Sequence, residues 1–155
     1  RMTTLQVSAY SDDAPRLRIH VALRSPHRVT VDEVAEAFGI SRHHLVKIVH
    51  DLGRHGYLKT YRGIGGGFTL ALPADKIGVG DIVRLGEESE TVIECKKRRE
   101  GPCRIRSVCR LKGVLDEAAA AFFAVLDSYT VSDLLDRPFA LADLLQIKAD
   151  VPVTR

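Results

Sequence analysis

The chain has 155 residues and a mass of 17.1 kDa, enough for one domain with one substantial core. Hydrophobic residues make up 45% and charged residues 28%, a globular mix that excludes collagen-like, low-complexity and largely disordered chains. The net charge of +3 is too small to argue by itself for a nucleic-acid partner. Apolar runs such as Ala118–Leu126 fall far short of the ~18–20 residues that a membrane span needs. Residues 1–10 carry no apolar export signal, so a cytoplasmic location with no membrane partner is expected.

Leu17 and Val21 stand at helical spacing within residues 14–24, which predicts a short amphipathic helix. Asp12 or Asp13 could cap it, with Pro15 in its first turn. After a turn at Ser25–Arg28, Thr30-Val31-Asp32-Glu33 is a capping box that predicts a helix over 31–38, stopped by Gly39. Ser41 caps a further helix over 42–53, with Leu45, Ile48, Val49 and Leu52 as its apolar stripe. Tyr57–Tyr61 and Phe68–Leu72 read as two strands joined by a glycine-rich tip from Arg62 to Gly67. A short helix over 79–87, a loop over 89–109 and a long helix over 107–127 follow. One more short helix opens at Thr130, and residues 136–155 read as a weakly ordered tail.

Chemistry is segregated along this order. All six histidines fall in the first 55 residues and all three cysteines between 95 and 109. Lys96, Lys97, Arg98, Arg99, Arg104, Arg106 and Arg110 form a basic cluster opposed, between 96 and 110, only by Glu100. Serine/histidine/aspartate and cysteine/histidine pairings have no plausible positions, so the chain is not expected to be an enzyme.

Residues 33–52 space Ala35, Gly39 and Leu45 as a helix-turn-helix requires: a small residue at the contact, a turn residue tolerating positive φ, and an apolar residue closing the corner. The second helix then offers Ser41, Arg42, His43, His44 and Lys47 to a DNA major groove. Arg62, just before the hairpin tip, is placed for a minor groove or phosphates, as in a winged helix. The bland alternative is a helical hairpin with a merely solvated polar face. The glycines of the tip lie between strands, so they are not a dinucleotide fingerprint. His50 and His55 read as structural or solvent-facing.

Cys95, Cys103 and Cys109 are spaced C-x7-C-x5-C. Three cysteines in a reducing interior argue against a disulfide framework, and without a CxxC or a nearby histidine a structural zinc site is disfavoured. Three thiolates in a basic loop suit an iron–sulfur cluster with one non-cysteine ligand; free or redox-active thiols suit the bare spacing as well.

Three segments resemble the cluster-binding winged-helix repressors of the NsrR, IscR and RirA type. They are ISRHHLVKIVHDLGRHGYLKTYRGIGGGFTLALPADKIGVGDIVR at 40–84, IEC at 93–95 and CRLKGVLDEAAAAFFAVLDSYTVSDLL at 109–135. The resemblance spans about residues 10–135 and is strongest to the NsrR branch over 41–56 and 109–135. Lys112 stands where IscR-like members have a histidine ligand, which counts against that branch.

The fold implied is mainly α with a small β-hairpin. It comprises a winged helix-turn-helix region over 10–75, a short helix and cluster loop over 76–109, a dimerisation and a closing helix over 107–135, and a tail over 136–155. The resemblance further implies a homodimeric transcriptional repressor on near-palindromic operator DNA, paired through Leu111, Val114, Leu115 and Phe122. Its cofactor would be an iron–sulfur cluster, four-iron rather than two-iron, held by Cys95, Cys103 and Cys109. Nitric oxide would be the signal. Asp12 aligns with an aspartate that can supply the fourth ligand across the dimer; a plain helix cap is the alternative role, and Asp13 the fallback ligand. Asp13 and Pro15 depart from the aromatic and aliphatic residues of the pattern, which could shorten the first helix. The first cysteine spacing is closer to the iron-responsive RirA type, so iron or cluster supply is the alternative signal.

Overall fold

The computed structural model describes residues 7–87 and 103–147. Helix α1 runs from Ala9 to Arg24, starting well before the expected residue 14. Its cap is Ser8, whose side chain accepts from the Ser11 amide, and neither Asp12 nor Asp13 caps it. Pro15 therefore lies inside the helix. The start of the helix is held by a clamp from far along the chain. The Ser8 amide donates to Glu87 Oε1 at 2.9 Å, and the Ser11 hydroxyl lies 2.6 Å from the same oxygen. A carboxylate at a helix start satisfies first-turn donors and complements the helix dipole.

Helix α2 (Val31–Phe38) has both halves of its capping box, and Gly39 ends it at φ 66°. Helix α3 (Arg42–Arg54) is capped by Ser41. Strands β1 (Leu58–Tyr61) and β2 (Gly67–Leu70) pair antiparallel, with Leu58 opposite Leu70 and Tyr61 opposite Gly67. Val29 adds one rung, exchanging backbone hydrogen bonds with Phe68 at 3.0 and 2.8 Å. Helices α4 (Val79–Gly86) and α5 (Arg110–Asp127) follow, with a 3-10 turn at Ser132–Leu135. The segment read as a weakly ordered tail holds a further helix, α6 (Pro138–Leu144), with proline in its first turn and Ala142 buried.

The core gathers Leu17 and Val21 of α1, Val34 of α2, Leu45, Ile48 and Leu52 of α3, Leu58 and Phe68 of the hairpin, and Ile77, Ile82 and Val131. Each such side chain contributes about 1.5–3 kcal/mol on burial. A second cluster packs Val79 and Val83 of α4 against Phe123 of α5. Gly80 permits that approach, because a Cβ there would collide with the Asp127 carboxylate. Arg84 then holds Asp127 through two hydrogen bonds of 2.6 and 2.8 Å. Among the described residues, no helix is long and apolar enough to cross a membrane.

Candidate nucleic-acid interface and cysteine loop

The corner between α2 and α3 is closed by the Gly39 amide donating to the Ala35 carbonyl at 2.9 Å, and by fully buried Val34 and Leu45. With Leu45, Ile48, Val49 and Leu52 turned inward, α3 presents Arg42, His43, Val46 and Lys47 to solvent. Ser41 is exposed too, but its Oγ accepts from the His44 amide at 3.1 Å and is engaged in capping. Arg42 Nε donates to Asp32 Oδ1 at 2.8 Å, with both side chains mostly in solvent. Such a pair is worth about 0–1 kcal/mol, so Arg42 can leave Asp32 for a phosphate or a guanine edge at little cost. Sequence reasoning missed Val46. Its exposure follows from its place beside the buried stripe, where an apolar group suits a thymine methyl.

His44 is turned the other way. Its Nε2 lies 3.1 Å from Asp13 Oδ2 on α1, and its side chain is half-buried. Asp13 also meets Arg16 Nη1 at 3.2 Å.

At the hairpin tip Arg62 is exposed, and Ile64 projects fully into solvent. Arg28, which sequence reasoning did not single out, donates from Nη1 to the Gly65 carbonyl at 2.8 Å and stacks on the Tyr61 ring. No local pattern announces that contact, since it joins residues 37 positions apart.

Cys103 and Cys109 are free thiols, each half-buried. Cys109 immediately precedes α5. Between them the chain turns through hydrogen bonds from Arg106 N to Cys103 O and from Val108 N to Ile105 O. Ile105 and Val108 are exposed, so neither anchors this turn in an apolar cluster. Arg104, Arg106 and Arg110, all exposed, stand close to the two cysteines along the chain. Cys95 and the Lys96–Arg99 run lie outside the described residues.

Asp12 is exposed on α1, with Oδ2 2.7 Å from Arg16 Nη1. Among the described residues no three acidic, histidine or cysteine side chains gather as a metal site, so Cys103, Cys109 and Asp12 do not converge within one chain. The donors themselves suit thiolate-ligated iron: two half-buried thiols, Cys109 directly before α5, in a segment whose arginines offset an anionic group.

Helix α5 is two-sided. Ala119 and Phe123 are buried, whereas Leu111, Val114, Phe122 and Val125 form an exposed apolar stripe on another face.

The sequence profile of the Rrf2 family, described as an iron-dependent transcriptional regulator, matches residues 7–137. The chain is 39% identical over 145 residues to the HTH-type transcriptional regulator NsrR of Shouchella clausii, covering 93% of this chain and 97% of that protein. It is 40% identical over 143 residues to the NsrR of Geobacillus kaustophilus, covering 92% and 97%. Among solved structures, the oxidized form of CymR from Staphylococcus aureus has a TM-score of 0.68 at 25% identity, over 85% of this chain and 97% of that one. IscR from T. potens has a TM-score of 0.67 at 26% identity, over 84% and 86%.

Proposed function

From the premise that the chain belongs to the Rrf2 family of transcriptional regulators, and is not an enzyme, we propose that it is a homodimeric repressor of near-palindromic operators that senses nitric oxide through an iron–sulfur cluster. The observation that carries this reading is the double character of α5. One thiol, Cys109, stands at its start, Cys103 lies six residues before it in the chain, and an exposed apolar stripe runs along its length. Ligand holding and subunit pairing thereby fall on one element, so a change in one is felt by the other.

Each residue has a role its chemistry suits. Arg42, His43, Lys47 and Ser41 enter the major groove from α3, while Arg62 meets the minor groove or phosphates from the wing. His44 begins from its contact with Asp13. Pairing of two α5 stripes presents two α3 helices about 34 Å apart, one turn of DNA. Cys95, Cys103 and Cys109 would hold a cluster, four-iron in preference to two-iron, and Asp12 of the second protomer would complete the ligand set. When bound, the cluster supplies iron that reacts with nitric oxide. A carboxylate is a weaker ligand to iron than a thiolate, so Asp12 is the ligand most readily given up. Arg16, 2.7 Å away, receives Asp12 once it is released. Asp13, the next residue, contacts α3 through His44, so a shift of α1 reaches the reading helix. A differential stability of a few kcal/mol between the two placements is enough to empty the DNA-competent state.

A second reading, with iron or cluster supply as the signal, is favoured by the long first cysteine spacing. Anaerobic purification, a visible absorption spectrum and nitric oxide titration during operator binding separate the two. A brown protein that bleaches and releases DNA supports nitric oxide sensing, and Asp12→Ala then weakens the cluster. A brown protein that keeps its DNA under nitric oxide but loses it on iron depletion supports the second reading. A colourless protein that resists reconstitution defeats both.

A further inference from the structure

The wing is more closely specified than a link between two short strands requires. Gly63 and Gly65 adopt φ 82° and 72°, and a Cβ on Gly66 would stand 2.7 Å from the Tyr61 carbonyl oxygen. The turn therefore follows a backbone path that only glycines allow at these positions. Arg28, between α1 and α2, braces it from outside. Its Nη1 donates to the Gly65 carbonyl at 2.8 Å, and its guanidinium carbon lies 3.7 Å from the Tyr61 ring centroid. Val29, the next residue, is hydrogen-bonded on both sides to Phe68. Both shoulders of the tip are thus tied to the body that carries α3.

At the end of this braced turn stands Ile64, its side chain wholly in solvent, two residues from exposed Arg62. An isolated apolar side chain on a surface is ordinary. This one is fixed in place relative to α3 and contributes nothing to the core. The minor groove beside a major-groove reader has apolar sugar walls, and over A·T pairs it is narrow and lacks the guanine amino group.

We propose that Ile64 is a specificity-determining residue for DNA and that Arg28 is its positioning residue. The braced tip enters the minor groove flanking the segment read by α3. There Ile64 packs against the sugar walls and favours A·T pairs, while Arg62 meets phosphates. Arg28, engaged with Tyr61 and Gly65, contacts no phosphate. This inference rests on the DNA-binding reading above and adds the residue that reads the minor groove, its brace and the bases that it selects.

The test uses the 155-residue chain and a duplex that it selects from a library with randomised flanks. Binding is followed by fluorescence anisotropy over a salt series. A second duplex carries 2,6-diaminopurine in place of flanking adenines, which adds an amino group to the minor groove alone. Wild type should bind the modified duplex about tenfold more weakly, the scale of one mismatched pair. Ile64→Ala should bind the unmodified duplex about five- to tenfold more weakly and no longer distinguish the two. Arg28→Ala should match it at an unchanged salt slope, and Arg28→Lys should not restore binding, because lysine lacks the planar fork that stacks and donates. Arg62→Ala, by contrast, should reduce the slope by about 1. The proposal is overturned if Ile64→Ala keeps both affinity and discrimination. It is equally overturned if Arg28→Ala lowers the slope by about 1 and Arg28→Lys restores binding, which marks a phosphate contact. Failure of the underlying reading looks different: no duplex is selected, or Arg42→Ala and Lys47→Ala leave affinity unchanged.

Discussion

His44 Nε2 lies 3.1 Å from Asp13 Oδ2, joining the first turn of α3 to the N-terminal part of α1. The Asp13 side chain is only 13% exposed and also meets Arg16, so this junction is shielded from solvent better than the surface pairs around it. Asp13→Asn keeps the size and removes the charge, and should cost about 1 kcal/mol, read as a lower urea midpoint. His44→Ala added to Asp13→Asn should cost less than His44→Ala alone, and additive costs would show that the two side chains do not interact.

Arg18 is fully buried in α1, and its three guanidinium nitrogens have no hydrogen-bond partner among the described residues. Its contact is the Tyr57 ring, 4.5 Å from the guanidinium carbon, and burial pulls its pKa down to about 10. A desolvated charge without hydrogen bonds costs more than one cation–π contact returns. Arg18→Met, which keeps the length and removes the charge, should therefore raise stability by about 1–3 kcal/mol. Arg18→Ala should lower it by leaving a cavity. Thermal unfolding of the two variants decides the matter: a less stable Arg18→Met would mean that the Tyr57 contact dominates.

Glu87 gives the fold a dependence on acid. Burial pushes its carboxyl up, but hydrogen bonds from Ser11 and Ser8 outweigh it and hold the group below the ordinary 4.5. A depressed carboxylate contributes stability above its unfolded value and loses it as pH falls through the folded value. Glu87→Gln should thus lower Tm at neutral pH, with the difference from wild type shrinking as pH falls below 4.5. A difference independent of pH would assign the role of Glu87 to packing.

Val125 is 60% exposed on the outer side of α5, so Val125→Asp disturbs no intrachain contact in the core. On the proposed pairing of two α5 stripes, it should leave helical content unchanged and give a monomer by light scattering where the wild-type chain gives a dimer, with operator affinity falling in step. A variant that stays dimeric would place the subunit interface elsewhere.

The helix-turn-helix and its wing were legible in the sequence because short-range chemistry specifies them. The Thr30–Glu33 capping box, the left-handed Gly39, the Ser41 cap and the glycines of the tip each act within a few residues, and each appears where residue type alone predicts it. Other features depended on partners distant along the chain. The start of α1 is tied to Glu87, 79 residues from Ser8, a partner that no local pattern names. Helical periodicity marked Phe122 and passed over Phe123, and only the packing of α4 decided that Phe123 turns inward while Phe122 stays exposed. His44 belonged to the reading row by spacing, and Asp13 on another helix drew it back. Residue types and their spacing determined the local hydrogen-bonding geometry. Which faces are covered, and which charges meet, was decided only when many weak contacts between distant segments were satisfied together.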